Sequence, residues 1–367
     1  MNNLKKILIF GMGDNLGGVE SVIYNYYTHF NKRKIHADFL TNCEKMVHED
    51  EIIAAGSKVY KITQRSKNYF QYRKDLKDFF DKHGHEYDTI WVNICLLSNI
   101  DYLKYAKKYG IKKRIIHCHN SKNMGSFING ICHNFNKLFI SRYATDFWTC
   151  SHEASKFFFS KKIMNSSKYL LINNAIDYDK YKYNKSVRNK IRNKMNWDNK
   201  VVIGNVGRLH FQKNQEFAIK VFKELNKKIP NSVFVIVGDG PDGDKLKQLV
   251  NELKLGDKVE FLGMRNDIPE LLQAMDIFLF PSLFEGLSIA LIEAQASGIL
   301  IATSNNVSAE TKMSDNIHFW SLDMTASEWA KLILKEYKSY NREKAINDII
   351  NKGFDIKQEA KKIEDII

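Results

Sequence analysis

The chain is predicted to be an α/β protein built from two doubly wound parallel sheets. Three observations carry that expectation. Short apolar runs alternate with amphipathic helical stretches, which is the signature of βαβ units and a mainly parallel sheet. The alternation runs through the first half, stops over the polar, basic stretch 178–200, and then starts again. Finally, 367 residues with 44% hydrophobic and 12% aromatic content are enough to fill two cores of ordinary size, so disorder is excluded.

In the first half, 6–10 reads as a short buried strand, followed by a glycine-rich loop from Gly11 to Gly18. A helix over 19–30 has Ile23, Tyr26 and Tyr27 on its apolar side. Further strands are expected over 37–41, 58–63, 89–93, 113–117, 147–150 and 169–174, with helices over 72–82 and 99–109. A long helix over 125–143 has Phe127, Ile131, Phe135, Leu138 and Phe139 apolar, with Lys137 and Arg142 polar. The stretch 178–200 reads as the connection between domains plus one solvated helix. In the second half, strands are expected over 201–206, 232–237, 259–262, 277–280 and 300–303, the last being the final clear strand. Helices alternate with them, and 326–340 and 356–367 are terminal helices. The expected division is 1–183, 184–350 and a C-terminal helical segment 351–367.

Net charge is +14, and it is uneven. Residues 1–180 hold 28 Lys and Arg against 17 Asp and Glu, whereas 181–367 hold 28 against 25. Either the first half meets an anionic partner (an acidic membrane surface, a phosphorylated acceptor or nucleic acid) or the composition is Lys-rich without a specific partner. No recognisable nucleic-acid module is present, so nucleic acid is not expected. The five cysteines, Cys43, Cys95, Cys118, Cys132 and Cys150, contain no C-x-x-C pair and fit neither a zinc site nor a disulfide scaffold. Thiols in a reducing cytosol are the simplest reading. Only four apolar residues follow Lys5 and Lys6 before Gly11, too few for a signal peptide, and no run of 18 apolar residues occurs. A cytoplasmic protein able to touch a membrane is expected.

The richest stretch is 280–298, FPSLFEGLSIALIEAQASG. A strand ends at Pro281-Ser282, Glu285-Gly286 lies in a loop, and a helix opens at Ser288, with Gly298 as its stop signal. A strand that ends in a loop and opens a helix suits phosphate, because free N–H groups and the helix dipole attract anions. Glu285 before the helix and Glu293 on its second turn flank that anion site. They suggest a ligand with hydroxyls at both ends and phosphate between them, as in a sugar nucleotide.

Other loops supply candidates. Gly207-Arg208 and Lys213-Asn214 follow the first strand of the second half: Arg208 offers a planar fork to phosphate oxygens and Lys213 a point charge, or the two are solvated cations. Gly238-Asp-Gly240-Pro241 is a turn whose glycines could also line a crevice. The stretch 261–266, with Met264 and Arg265, could offer backbone to a base edge. Gly17-Gly18 at a helix start allows a backbone to approach phosphate closely, or forms a plain loop; the spacing is one residue too long for a dinucleotide fingerprint. His119 ends a strand next to Asn120 and Ser121, where an imidazole could reach a hydroxyl or phosphate. His117, two residues earlier, is hard to separate from it. No Walker A loop and no HExxH occurs, and no metal site is expected.

Taken in order, Gly17-Gly18-x-Glu20, His119, Gly207-Arg208 with Lys213-Asn214, Gly238-Asp-Gly-Pro, and Phe280-Pro-Ser-x-x-Glu-Gly through Glu293 resemble the retaining glycosyltransferases of family 4. The resemblance spans nearly the whole chain and is greatest to enzymes of bacterial capsule and exopolysaccharide assembly. It implies the GT-B fold, two Rossmann-like domains facing across a cleft, with the acceptor on the first domain, the nucleotide sugar on the second, and the last helix crossing back to the first. It implies a hexosyltransferase that uses a nucleotide sugar, UDP-linked by family habit, and no metal or other cofactor. The acceptor would be a glycan or an undecaprenyl-diphosphate-linked glycan, met at the inner face of the plasma membrane. His119, Glu285, Arg208 and Lys213 would form the catalytic group. Glu293 would hold the ribose, Glu285 the sugar, and Arg208 and Lys213 the diphosphate. Gly286, Leu287 and Ser288 at the helix start, with Gly17, Gly18 and Gly238, would line the phosphates. Backbone near Met264 and Arg265 would meet the base. Two other readings stay open: a non-catalytic subunit of the same fold, and a sugar-nucleotide epimerase.

Overall fold

The computed structural model describes residues 4–15, 17–123, 125–342 and 348–367. Leu16, within the expected loop over 11–18, lies outside them. The chain divides into two compact units, Met1–Ala175 with Ile356–Ile367, and Ile176–Asp355.

The first unit is a seven-stranded parallel sheet of β1 (Lys5–Phe10), β2 (Ile35–Thr41), β3 (Val59–Lys61), β4 (Thr89–Ile94), β5 (Lys113–Cys118), β6 (Asp146–Thr149) and β7 (Tyr169–Leu171), in the order β3-β2-β1-β4-β5-β6-β7. Consecutive Ile7, Leu8 and Ile9 are all fully buried, so both faces of β1 are covered, as a parallel sheet requires. The helix Gly18–His29 buries Val22, Ile23, Tyr26 and Tyr27. Tyr26 also donates its hydroxyl to the Asn173 carbonyl at 2.8 Å, and Asn25 donates to the Ala175 carbonyl at 3.1 Å. Strand β7 ends at Leu171 rather than at 174, because its partner β6 ends at Thr149, which pairs with Leu171. The last helix, Ile356–Ile366, packs on Gly18–His29, and Glu364 accepts the Asn31 N–H at 2.5 Å.

The expected long amphipathic helix is present, and its apolar side faces outwards. The long helix forms over Phe127–Phe139, with a 3-10 turn at Ile140–Arg142, but its apolar residues Phe127, Ile131, Phe135 and Leu138 are exposed. Its inward side is polar: His133 is buried, and Asn136 donates to the Leu97 carbonyl at 2.6 Å. Periodicity identifies an amphipathic helix but not which side meets the protein.

The second unit is a six-stranded parallel sheet of β8 (Val201–Val206), β9 (Ser232–Val237), β10 (Val259–Gly263), β11 (Ile277–Phe280), β12 (Leu300–Ser304) and β13 (Ile317–Trp320), in the order β10-β9-β8-β11-β12-β13. Alternate residues fill two separate cores. Ile203, Phe234, Ile277 and Leu279 join one, while Val202, Val233, Phe278 and Phe280 join the other. Strand β13 was not expected. It is a four-residue edge strand with His318 in its centre, and three of its residues are only half buried, so it lacks the apolar run that marks the inner strands.

The stretch 178–200 is more than a solvated connection. Tyr178–Tyr181 is a helical turn of the second unit, and Ile176 bridges Asp355 there, so the unit boundary falls before the polar run rather than at 183. In the helix Lys185–Lys194, Arg188 and Arg192 bind Asp276 at 2.5 and 3.2 Å, and Arg192 is buried. A buried guanidinium needs such a partner, so this helix is fixed to the sheet.

In each sheet the strand order reverses beside the first strand, between β1 and β4 and between β8 and β11. At such switch points the loops beyond the strand ends part and leave a crevice.

Candidate functional site

At the β8/β11 switch point of the second unit, three loops are fixed by close backbone approach. Gly207 has φ +156° and Gly238 φ +131°, and a Cβ on Gly238 would sit 2.1 Å from the Gly207 carbonyl oxygen. The Gly207 N–H donates to Val237 O at 2.9 Å, and Gly238 N–H to Gly263 O at 2.9 Å. Glycine at 238 allows the loops after β8 and β9 to lie this close.

From that floor the charges rise. Lys213 ends a 3-10 turn, and Asn214 follows in the left-handed region at φ +53°. Asn214 donates to the Pro281 carbonyl at 3.1 Å, tying this turn to the end of β11. The Lys213 ammonium lies 2.6 Å from Glu285 Oε1 and 4.8 Å from the centre of the Phe280 ring. Gln212 donates to the same Glu285 oxygen at 3.1 Å. Arg208 is exposed; Gln215 pins its carbonyl at 3.0 Å, and its guanidinium has no ion-pair partner among the described residues. Lys213 and Glu285 are therefore brought together, with an uncommitted cation on the neighbouring loop.

The Glu285 loop is held from behind. Glu285 bridges Val307, its carbonyl accepts the Ser308 N–H at 3.1 Å, and Thr311 donates to the Gly286 carbonyl at 3.4 Å. The helix Ile289–Ala296 starts at Ser288, whose hydroxyl makes no cap bond and whose carbonyl accepts the Leu291 and Ile292 N–H groups at 3.2 and 3.3 Å, so the N–H groups of Ile289 and Ala290 are left for another acceptor. Leu287 is buried in a cluster with Ile292, so what it can offer a ligand is backbone.

Glu293 is 9% exposed, and burial raises its carboxyl pKa to about 7. Tyr181 donates to Glu293 Oε1 at 2.6 Å and opposes that rise. Tyr181 was missed from the sequence because it lies in a Lys- and Tyr-rich connection with no motif. The only signal was an aromatic residue shortly before the second alternation. Met264 is exposed after β10, whereas the Arg265 guanidinium is already clamped by Asp267 at 2.7 and 2.5 Å. Arg265 can therefore contribute backbone but not a free cation.

The first unit has its own cluster at the β1/β4 switch point. His119 Nε2 lies 3.1 Å from Asn93 Oδ1, and Asn93 Nδ2 donates to the Phe10 carbonyl at 3.3 Å. That second bond sets Asn93 Oδ1 as the acceptor, so His119 carries its proton on Nε2 and leaves Nδ1 as an acceptor. Burial lowers the His119 pKa to about 3, so the ring is neutral at physiological pH. His117 separates from it: it is fully buried, stacks against Trp91, and neither ring nitrogen has a hydrogen-bond partner among the described residues. Asn93 was also missed, because an Asn at a strand end carries no motif.

Gly17 precedes the first helix, and Gly18 is its exposed first residue. Glu20 accepts the Gly13 N–H at 3.3 Å, and burial raises its pKa. A Cβ on Gly17 would lie 2.7 Å from Glu20 Oε2. Glu20 thus closes the glycine loop on itself, a more specific role than complementing the helix dipole. Among the described residues no group of three or more His, Cys, Asp and Glu is placed to hold a metal.

Comparison with known proteins bears on the fold and the relatives of the chain. The putative glycosyltransferase EpsF of Bacillus subtilis is 26% identical over 345 residues, covering 90% of this chain and 87% of its own. The capsular polysaccharide biosynthesis glycosyltransferase CapH of Staphylococcus aureus is 25% identical over 327 residues, covering 87% of this chain and 86% of its own. An Escherichia coli UDP-Gal:α-D-GlcNAc-diphosphoundecaprenol α-1,3-galactosyltransferase is 37% identical over 163 residues, 42% of each chain. Among solved structures, Anabaena HepE in complex with UDP and glucose superposes with a TM-score of 0.80 at 20% identity, covering 99% of both chains. Two parallel sheets in one chain, with this likeness, give the protein the GT-B fold. More particularly, residues 187–353 match the family described as Glycosyl transferases group 1, so the second unit carries a group 1 glycosyltransferase domain.

Proposed function

We propose that the protein is a retaining, metal-independent hexosyltransferase. It moves a sugar from a UDP-linked donor to a glycan or undecaprenyl-diphosphate-linked acceptor in capsule or exopolysaccharide biosynthesis, at the cytoplasmic face of the membrane. The observation that carries the reading is the Lys213–Glu285 ion pair at 2.6 Å, set at a strand-order reversal between an unpaired Arg208 and an uncapped helix N-terminus.

Arg208 and Lys213 clamp the diphosphate, and the N–H groups at the start of the helix Ile289–Ala296 receive its oxygens. Glu285 takes the donor sugar's hydroxyls, exchanging part of its pairing with Lys213 as phosphate arrives. Glu293, held in place by Tyr181, accepts the ribose hydroxyls. Neutral His119 offers Nδ1 to a hydroxyl near the transferred sugar, and the first unit takes the acceptor. The acceptor oxygen bonds to the anomeric carbon on the face from which the diphosphate leaves. The anomeric C–O bond to phosphate breaks, and the acceptor's proton passes to the departing phosphate oxygen. Catalysis is then positioning plus stabilisation of the leaving charge. The names of the E. coli galactosyltransferase and of the HepE complex support a UDP-linked donor and a lipid-diphosphate acceptor.

A screen of UDP-, GDP- and ADP-sugars with the purified protein tests this, reading nucleoside diphosphate release and the anomeric configuration of the product. Release from a UDP-sugar, with retention and unaffected by EDTA, is the expected result. Inversion, loss of turnover in EDTA, or a donor that changes configuration without an acceptor would each overturn the corresponding part.

A further inference from the structure

The helix Phe127–Phe139 is built inside out. Its inward face is attached by polar bonds: the Leu97 N–H donates to His133 Nδ1 at 3.2 Å, Asn136 donates to the Leu97 carbonyl at 2.6 Å, and Lys137 donates to the Phe157 carbonyl at 2.6 Å. Its outward face carries Phe127, Ile128, Ile131, Phe135 and Leu138, which are 55 to 83% exposed. Positions 127, 131, 135 and 138 are spaced by four, four and three, so they form one continuous stripe along the helix. A monomeric soluble surface rarely shows so many large apolar side chains in one place.

The surroundings say what covers them. Between Asp101 and Asp146 the sequence contains no carboxylate and nine Lys and Arg. At the C-terminal end of the helix, the Arg142 guanidinium lies 4.9 Å from the Phe139 ring centre, and Lys107 donates to the Arg142 carbonyl at 2.8 Å. Along its edge runs a cavity of about 310 Å³, lined by Ile131 and Phe135 from the stripe and by Arg65, Lys104 and the buried Asp101 beside them. An apolar stripe framed by cations is the combination that seats a helix in the interface of an anionic bilayer: the side chains enter the acyl boundary and the cations meet lipid phosphates. A second copy of the chain is a poorer partner, since it would bring the same cationic frame against itself, and Asp101, the carboxylate at that cavity, is buried and already paired with Lys104 at 3.4 Å.

We propose that the helix Phe127–Phe139 is a membrane-docking element that inserts its apolar stripe into an anionic lipid surface, with Arg65, Lys104, Lys107 and Arg142 contacting the headgroups. This inference does not depend on the transferase reading, because docking needs neither donor nor turnover.

The test is sedimentation of the full chain with vesicles of phosphatidylcholine alone and of phosphatidylcholine with 30% phosphatidylglycerol, at low and high salt. The wild type should sediment with the anionic vesicles and be released by salt. The variant F127S/I131S/L138S changes only exposed side chains, so its melting temperature should be unaltered while its vesicle affinity falls at least tenfold. Absence of sedimentation, or equal sedimentation of the triple variant, overturns the proposal. So does a salt-insensitive wild type. So does a dimer in vesicle-free ultracentrifugation that the triple substitution dissolves, without vesicle binding.

Discussion

The substitution Glu293→Gln should stabilise the ligand-free protein, and only at high pH. Burial raises the Glu293 carboxyl from its ordinary 4.5 to about 7. Its folded pKa therefore lies above its unfolded one, and the folded state holds a proton that the unfolded state has released. Below about pH 4.5 the group is neutral in both states and has no effect. As pH rises towards 7 native stability falls, and above 7 the full deficit persists. About 2.5 pKa units at 1.36 kcal/mol each correspond to roughly 3 kcal/mol. Gln keeps an acceptor for the Tyr181 hydroxyl at 2.6 Å and carries no charge to desolvate. For a unit of this size roughly 3 kcal/mol is a rise in Tm of about 6–12 °C. Thermal unfolding of both proteins at pH 5 and pH 8 measures it. The gain should appear at pH 8 and largely vanish at pH 5. A variant less stable at pH 8, or a difference independent of pH, refutes the argument that Glu293 is held ionised at a cost. Such a cost fits a residue kept for a ligand rather than for the fold.

Other outcomes follow from the same contacts. Lys213→Ala should lower sugar transfer on the order of 10²–10³-fold, measured as nucleoside diphosphate release, while the circular dichroism of the fold is retained. Gly238→Ala should lower the melting temperature sharply, because its Cβ would meet the Gly207 carbonyl at 2.1 Å in a left-handed backbone conformation. His119, whose pKa is lowered to about 3, should contribute no inflection to the transfer rate between pH 5 and 9. Comparing the pH profiles of wild type and His119→Gln checks this: a wild-type inflection near 6.5 that the variant lacks would count against it.

The sequence made the strand–loop–helix of 280–298 legible because its punctuation is local: Pro281-Ser282 ends a strand and Gly298, at φ +65°, ends a helix. The glycines at 207 and 238 were equally visible, since a positive φ leaves a residue-type signature. What stayed hidden depends on distant pairs. Nothing near Tyr181 announces that its hydroxyl meets Glu293, 112 positions on. Nothing near Gln212 announces its bond to Glu285. Asn93, which sets the His119 tautomer, lies 26 positions before it on the neighbouring strand. The helix Phe127–Phe139 shows a different limit. Its period was readable, but the side that faces protein was decided by His133 and Asn136 finding partners around Leu97. Strand β13 was invisible because an edge strand needs pairing on one side only, and β12 supplies it.

The central claim is that the crevice at the β8/β11 strand-order reversal holds a nucleoside diphosphate. Calorimetry with UDP tests it most directly, on the wild type and on Arg208→Ala, which changes an exposed and unpaired side chain and so leaves the fold intact. The account predicts saturable binding to the wild type and at least a tenfold loss in the variant. If no nucleoside diphosphate binds, or if Arg208→Ala binds as tightly as the wild type, the site described here is not the donor site.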